Sequence, residues 1–346
     1  MTERPVGEEC RRTDPVKRGR GKKFLRRFSL ALIVLLVLYT VLLYFLVSTA
    51  LVPSFMRKLR LFEDVTRKSY SEQVQDKPVQ SNYRAAQTIG EAWGKETPHE
   101  RLRIRSYDGY LLTAAMYRQT AGHLWVITLH GYTGWKEAMY PNACWYYRNG
   151  FSVLAPDLRC QGESEGDFIG MGWTDRQDLL LWIAQILERD PEAEIVLHGQ
   201  SMGASCALLL SGMEELPRQV KAVVSDCAYT DAMSMFRIKI RDWLHLPAFL
   251  FLDGANLMLQ LRGGYDLRKA SPVTAVENSR IPILYIHGAE DRMISVEMTY
   301  ELYRNTGSPK ELLIVDGAGH TQAMDADPVL YYGKIRQFLG GVIGDF

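Results

Sequence analysis

Ser201 stands in the run Gly199-Gln200-Ser201-Met202-Gly203. An aliphatic, β-branched stretch, Glu194-Ile195-Val196-Leu197, leads in, and a small-residue pattern, Ala204-Ser205-Cys206-Ala207-Leu208-Leu209-Leu210, leads out. Strand, G-x-S-x-G and helix in that order make a sharp turn that lifts a serine hydroxyl clear of a sheet. The two glycines let strand and helix approach closely around a strained serine. The following helix turns its positive N-terminal end toward the same spot, where negative charge would develop. A pentapeptide this loosely specified also arises by chance as a plain turn, so the chemistry needs partners elsewhere in the chain.

A serine hydroxyl becomes a nucleophile when a general base takes its proton and a carboxylate orients that base. Of the seven histidines, His320 is the expected base: it ends Gly317-Ala318-Gly319-His320, just after the strand-like Glu311-Leu312-Leu313-Ile314-Val315. The expected carboxylate is Asp291, which follows the apolar run Ile281-Pro282-Ile283-Leu284-Tyr285-Ile286 and its turn. Glu290, Asp316 and Asp226 are rivals. Asp226 is the serious one, because it ends the strand-like Ala222-Val223-Val224-Ser225. A tetrahedral oxyanion would need two main-chain N–H donors. Met202, the residue after the nucleophile, is expected to give one, and Tyr132 the other, from the loop His130-Gly131-Tyr132-Thr133-Gly134 after an apolar strand.

These residues carry a resemblance. The order serine, acid, histidine is that of α/β-hydrolases. More narrowly, the chain is similar to a bacterial group of membrane-anchored or secreted serine hydrolases, esterase/lipase-like or prolyl-oligopeptidase-like. The matching residues are His130 to Trp135, Asp157-Leu158-Arg159, Gly162 to Gly166, Gly170 to Trp173, His198 to Gly203, Gly264-Tyr265-Asp266, His287-Gly288 with Asp291, and Gly317 to His320. They cover roughly residues 100 to 340. Cys160-Gln161 departs from the group, whose members usually carry Gly-His after the arginine. The resemblance implies acyl transfer without a cofactor or metal, on carboxylic esters first, with thioesters and peptides open. A non-catalytic binding module on the same fold is the rival class.

The elements needed to position such a site are legible. Apolar strands start near Leu124, Phe151, Glu194, Val220, Pro282 and Glu311, with helical patterns between them, Trp173 to Leu187 being the clearest. That alternation predicts an α/β-hydrolase fold: a mostly parallel central sheet with helices on both faces and the site at its carboxyl edge. A hairpin precedes it, signalled by Asp108-Gly109 between two strand patterns. Residues 232–270 break the alternation. They are dense in Met, Phe, Leu and Ile and are expected as a helical cap over an apolar pocket, with Phe249 and Phe251 the side chains whose loss should disturb an acyl preference.

Composition sets the remaining bounds. Residues 1–27 carry ten Lys/Arg against four Asp/Glu, and the rest of the chain 31 against 36, so the domain offers no basic footprint for nucleic acid. Residues 28–52 hold no charge, and as a helix they would measure about 37 Å, enough to cross a hydrocarbon core. Ser48-Thr49-Ala50 offers a small-x-small cleavage site, but the apolar run is longer than a secretory core, so an uncleaved lipid-bilayer anchor is expected. Nine Lys/Arg lie in residues 11–27 and five in 53–72, which predicts a cytoplasmic N-terminus and an extracytoplasmic domain. The expected layout is a basic tail over 1–27, an anchor over 28–52, a helical or irregular stalk over 53–95, with a hint of packing in Tyr83-Arg84-Ala85-Ala86, and a catalytic domain over 96–346. The five cysteines form no CxxC or Cys/His cluster and read as buried thiols.

Overall fold

The structure, a computed structural model, describes residues 16–55, 77–245 and 247–346. Contacts divide the chain into a unit up to residue 46 and a unit from residue 47 on. The first is most of one long helix, α1 (Val16–Leu51). From Phe24 to Leu42 its large apolar side chains are exposed, and the stretch Lys22–Leu51 is long and apolar enough to cross a membrane.

In chain order the second unit holds α2 (Lys77–Glu96), β1 (Glu100–Arg105), β2 (Leu111–Tyr117), β3 (Leu124–Leu129), α3 (Tyr140–Arg148), β4 (Ser152–Pro156), α4 (Asp175–Arg189), β5 (Glu194–Gln200) and α5 (Met202–Ser211). There follow β6 (Val220–Asp226), α6 (Ala232–Leu244), α7 (Ala248–Gly263), α8 (Pro272–Val276), β7 (Ile283–Gly288), α9 (Val296–Asn305), β8 (Lys310–Val315), α10 (Ala323–Ala326) and α11 (Pro328–Ile343). The strands make one eight-stranded sheet in the order β1-β2-β4-β3-β5-β6-β7-β8. β1 and β2 pair antiparallel, as does β2 with β4; all later pairs are parallel.

The central strands are apolar at nearly every position because both faces are covered. Along β3, Trp125, Ile127 and Leu129 join one buried cluster and Val126 the other. The first cluster takes in α4 and α5, and the second takes in α3 and α11. The parallel strands all end at one edge, so Gln200, Asp226 and Gly288 lie side by side there: Gln200 is in register with Asp226, and Asp226 with Ile286.

Two features go beyond the expectation. Part of the stretch expected as a helical or irregular stalk, with a hint of packing from Tyr83, is α2, which packs against the body. Trp93 is buried between Tyr117 and Tyr140, with ring centroids 4.3 and 5.6 Å away. Gly90 and Gly94 permit this, since a Cβ at either position would collide with Pro141 or Tyr140. The rest of that stretch, residues 56–76, lies outside the described residues. The second feature is the end of α1. Val47, Ser48 and Leu51 are buried in the body, and Leu51 O accepts from Ile169 N–H at 2.9 Å. The region expected as a cap is the helical hairpin α6–α7, in the connection from β6 to β7. Phe249 is 77% exposed there, so it faces outward and not toward a pocket.

Candidate active site

Ser201 sits between β5 and α5 with φ 55° and ψ −116°, a region costly for a residue with a Cβ, on the order of 1–3 kcal/mol. The strain is held by packing. A Cβ at Gly199 would strike the Gly203 carbonyl, and one at Gly203 would strike the Leu129 and His130 carbonyls. Only glycines allow strand, helix and neighbouring strand to close on one another here. The Ser201 N–H donates to Asp226 O at 2.8 Å, fixing the turn to β6.

His320 approaches from the loop after β8. Its Nε2 lies 3.0 Å from Ser201 Oγ, and its Nδ1 lies 2.7 Å from Asp291 Oδ2. An ionised carboxylate can only accept, so the ring proton of a neutral His320 belongs on Nδ1 and Nε2 is left to accept from the serine hydroxyl. The loop is held close because Gly288 has no side chain where the Ala318 and Gly319 carbonyls pass.

Asp291 is buried yet well supplied with donors. Oδ1 accepts from the N–H groups of Met293 and Ile294, both at 2.8 Å. Oδ2 faces His320 and, at 3.1 Å, Nε2 of the fully buried His287. Burial alone would raise this carboxyl; the two imidazoles outweigh it and hold Asp291 below the usual carboxylate range. His287 is further fixed by Ile294 O at 2.9 Å and Thr299 Oγ1 at 2.7 Å.

The loop after β3 abuts the nucleophile. A Cβ on Gly131 would lie 3.4 Å from that of Ser201. Gly134 N–H closes a turn onto Gly131 O at 3.1 Å, with Thr133 at φ 57°. His130 pins the turn. Nδ1–H donates to Gly131 O at 2.8 Å and Nε2 accepts from Leu158 N–H at 3.0 Å, while burial lowers its pKa and keeps it neutral. Tyr132 follows in this turn, and its hydroxyl donates to Ala50 O. Met202 is the first residue of α5, where a helical N–H has no partner within its own helix.

The structure brings Ser201, His320 and Asp291 together. Glu290 and Asp316 are exposed. Asp226 is buried at the end of β6 but does not touch His320. Its Oδ2 faces Gln200 Nε2 at 3.4 Å and Tyr331 OH at 3.1 Å, and its Oδ1 has no partner. Reading the sequence placed His287 at the strand end before the acid but gave it no role, although a histidine four residues before the acid was a usable signal. It also missed Cys227, whose Sγ lies within 4.8 Å of donor atoms of Asp291 and His320. Burial, reinforced by Asp226 and Asp291, pushes that thiol well up, so it is a poor thiolate ligand. Cys160, where the resembling group carries glycine, has φ 67°, a conformation glycine adopts freely.

A sequence profile of the Alpha/beta hydrolase family matches residues 126–331, more than half of the chain. YqkD of Bacillus subtilis (strain 168) is 29% identical over 191 residues, 55% of this chain and 62% of YqkD; the chain thus matches less than two thirds of that relative's length. Among solved structures, the esterase Pf2001 of Pyrococcus furiosus superposes with a TM-score of 0.59 at 22% identity, covering 72% of this chain and 94% of the esterase. The acylaminoacyl peptidase of Pyrococcus horikoshii gives 0.52 at 19% identity, over 72% of this chain and 42% of the peptidase. At such identities the likeness is one of fold.

Proposed function

The chain belongs to the alpha/beta hydrolase family, and on that premise we propose that it is a serine hydrolase of carboxylic esters, held in a membrane by α1. The observation that carries the reading is the imidazole of His320, placed between Ser201 Oγ and the anion of Asp291. Ser201 Oγ attacks the ester carbonyl carbon while its proton passes to His320 Nε2. The carbonyl oxygen becomes an oxyanion held by the main-chain N–H groups of Met202 and Tyr132. Collapse breaks the bond to the alcohol, which leaves with the proton from His320. Water then gives one proton to His320 and attacks the acyl carbon; the bond to Ser201 Oγ breaks, His320 returns the proton to that oxygen, and the acid leaves. Asp291 stays ionised throughout and steadies the imidazolium.

An apolar cap favours an acyl group over a charged one. Met235, Phe236 and Met258 of α6 and α7 are partly buried against the core cluster that also holds Met202, the residue after Ser201. The test is fluorophosphonate labelling followed by an ester and peptide panel. Wild type should be labelled and Ser201→Ala should not, with turnover lower by several orders of magnitude. Across short to medium acyl chains efficiency should rise with length until the pocket is full, since each buried methylene contributes about 0.8 kcal/mol. Equal activity in wild type and Ser201→Ala would remove the mechanism. High efficiency on peptides, with indifference to acyl length, would make it a peptidase.

The layout that goes with this reading is a basic tail over 1–27, an anchor over 28–52, a connecting stretch ending in α2, and a catalytic body carrying a cap at 232–270. The charge bias around the span puts the body outside the cytoplasm. Protease added to intact cells should therefore digest the body and spare the tail. A mature N-terminus at Leu51 would show cleavage in place of anchoring.

A further inference from the structure

α7 is apolar around almost its whole circumference: Asp253, Asn256, Gln260 and Arg262 are its only polar side chains. A helix of that kind is stable when buried or when it meets lipid. α7 is buried on one face only. Leu252 and Leu259 pack inward, while Leu250, Leu257 and Leu261 are 50%, 57% and 77% exposed. At 100° per residue those three leucines fall within about 40° of one another, so they form one outward stripe. Phe249 flanks it, across the exposed Asp253.

The same helix is tied to the end of the apolar run. Arg262 Nη1 donates to Ser48 Oγ at 2.9 Å. Ser48 is fixed in turn because Ala50 O accepts from Tyr132 OH and Leu51 O accepts from Ile169 N–H. Leu261 precedes Arg262, so the stripe begins one residue from the point where α7 holds the chain at the end of its uncharged segment. An apolar segment that leaves a bilayer near residues 48–52 brings that point to the headgroup level.

We propose that the outward stripe of α7, Leu250, Leu257 and Leu261, beds in the leaflet from which α1 emerges, so that the hydrolase takes acyl esters resident in that leaflet. The inference rests on the anchor reading and deepens it. The occupant is the lipid itself, because chain continuity delivers lipid to this face. The consequence for substrate follows from position: an ester already in the leaflet reaches the cap without crossing water.

The experiment uses the full chain in nanodiscs holding one copy each, with Cys10→Ser as background. An environment-sensitive fluorophore is placed at Leu36→Cys, Leu257→Cys or Glu301→Cys, and nitroxide-labelled phospholipid is the quencher. Quenching at 257, comparable with that at 36 and absent at 301, is the expected result. Quenching at 36 without quenching at 257 overturns the docking and leaves the anchor. No quenching at either overturns both. Quenching at 257 alone removes the span and overturns the proposal, since α1 then delivers no leaflet to this face. A second variant, Leu257→Gln with Leu261→Gln, should hydrolyse a water-soluble acetate ester as wild type does and a long-chain fluorogenic ester dissolved in the disc about tenfold more slowly. An equal rate on both esters overturns the substrate route. A second copy of the chain as occupant would show as shielding at 257 that depends on protein concentration in detergent and is insensitive to nitroxide lipid, which also overturns the proposal.

Discussion

Two carboxylates end neighbouring strands at the same sheet edge, and their surroundings are opposite. Asp226 closes β6 and Asp291 follows β7 by three residues. Both are buried. Asp291 meets two main-chain N–H groups from its own turn and two imidazoles, and it is held as an anion below the usual range. Asp226 meets one long amide contact and one phenol, with an oxygen left over; burial raises its pKa against the weaker help of Gln200. The cause is local backbone. Asp291 begins a turn whose next N–H groups fold back onto its Oδ1. Asp226 is still in the strand, and the N–H after it is spent on Ile286 O. Depth of burial does not make a carboxylate an orienting anion; the donors supplied to it do.

The largest expected effect tests that difference directly. Asp291→Asn should cost on the order of 10⁴ in turnover, because an amide cannot hold the His320 tautomer and steady its cation. Asp226→Asn should cost less than about tenfold, since its neutral isostere suits a site that already disfavours the charge. Turnover of both variants on one activated ester decides the matter. The reverse ranking would move the acid to β6.

The sequence carried much of this site for a physical reason. A nucleophile at a strand-to-helix turn needs glycines on both sides, so Ser201 was visible, and fixed offsets from strand ends pointed to Met202, Tyr132, Asp291 and His320. The strands were visible because a sheet covered on both faces must be apolar at nearly every position. His287 was legible as a strand-end histidine four residues before the acid, but nothing in the sequence gave it a role. Cys227 was not visible, because its nearness to Asp291 comes from the register of β6 with β7, a tertiary fact. α2 was legible only as a hint, because its contact is made by one face of a polar helix, through Val79, Trp93 and two glycines. The end of α1 was hidden for the opposite reason: an unbroken apolar run has no period, so nothing separates Val47 and Leu51, which pack in protein, from the residues before them.

A third carboxylate extends the comparison to stability. Asp325, in α10, is buried with one oxygen unpartnered; burial, then the charge of Asp226, pushes it up to about 7. Its charge acts in turn on Tyr83 and Tyr332. The folded chain thus keeps a proton that the unfolded chain has lost between pH 4 and 7. The stability this group contributes is complete below pH 4 and declines by about 1.4 kcal/mol per unit as pH rises toward 7. Asp325→Asn should flatten that decline and raise the thermal midpoint at pH 7 more than at pH 5. A midpoint shift equal at both values would mean that Asp325 is ionised in the folded protein.

The smallest effect concerns why Asp291 is so well held. His287 touches neither Ser201 nor His320 in the contacts seen here; it reaches the chemistry only through Asp291 Oδ2. It therefore acts as a positioning residue, one of four donors to that anion. His287→Ala should lower turnover by about tenfold, the scale of one hydrogen bond to a charged group. Loss of packing at a buried ring could produce the same number, so the single variant does not separate the roles. The pair does. If His287 works by steadying the Asp291 anion, there is no anion to steady once Asp291 is Asn, and the double variant should be no slower than Asp291→Asn alone. If His287 only fills space, the two losses should multiply, giving about 10⁵. Turnover of the two single variants and the double on one ester distinguishes these outcomes, and a multiplicative loss would reduce the donor set that separates Asp291 from Asp226 to its two main-chain N–H groups and His320.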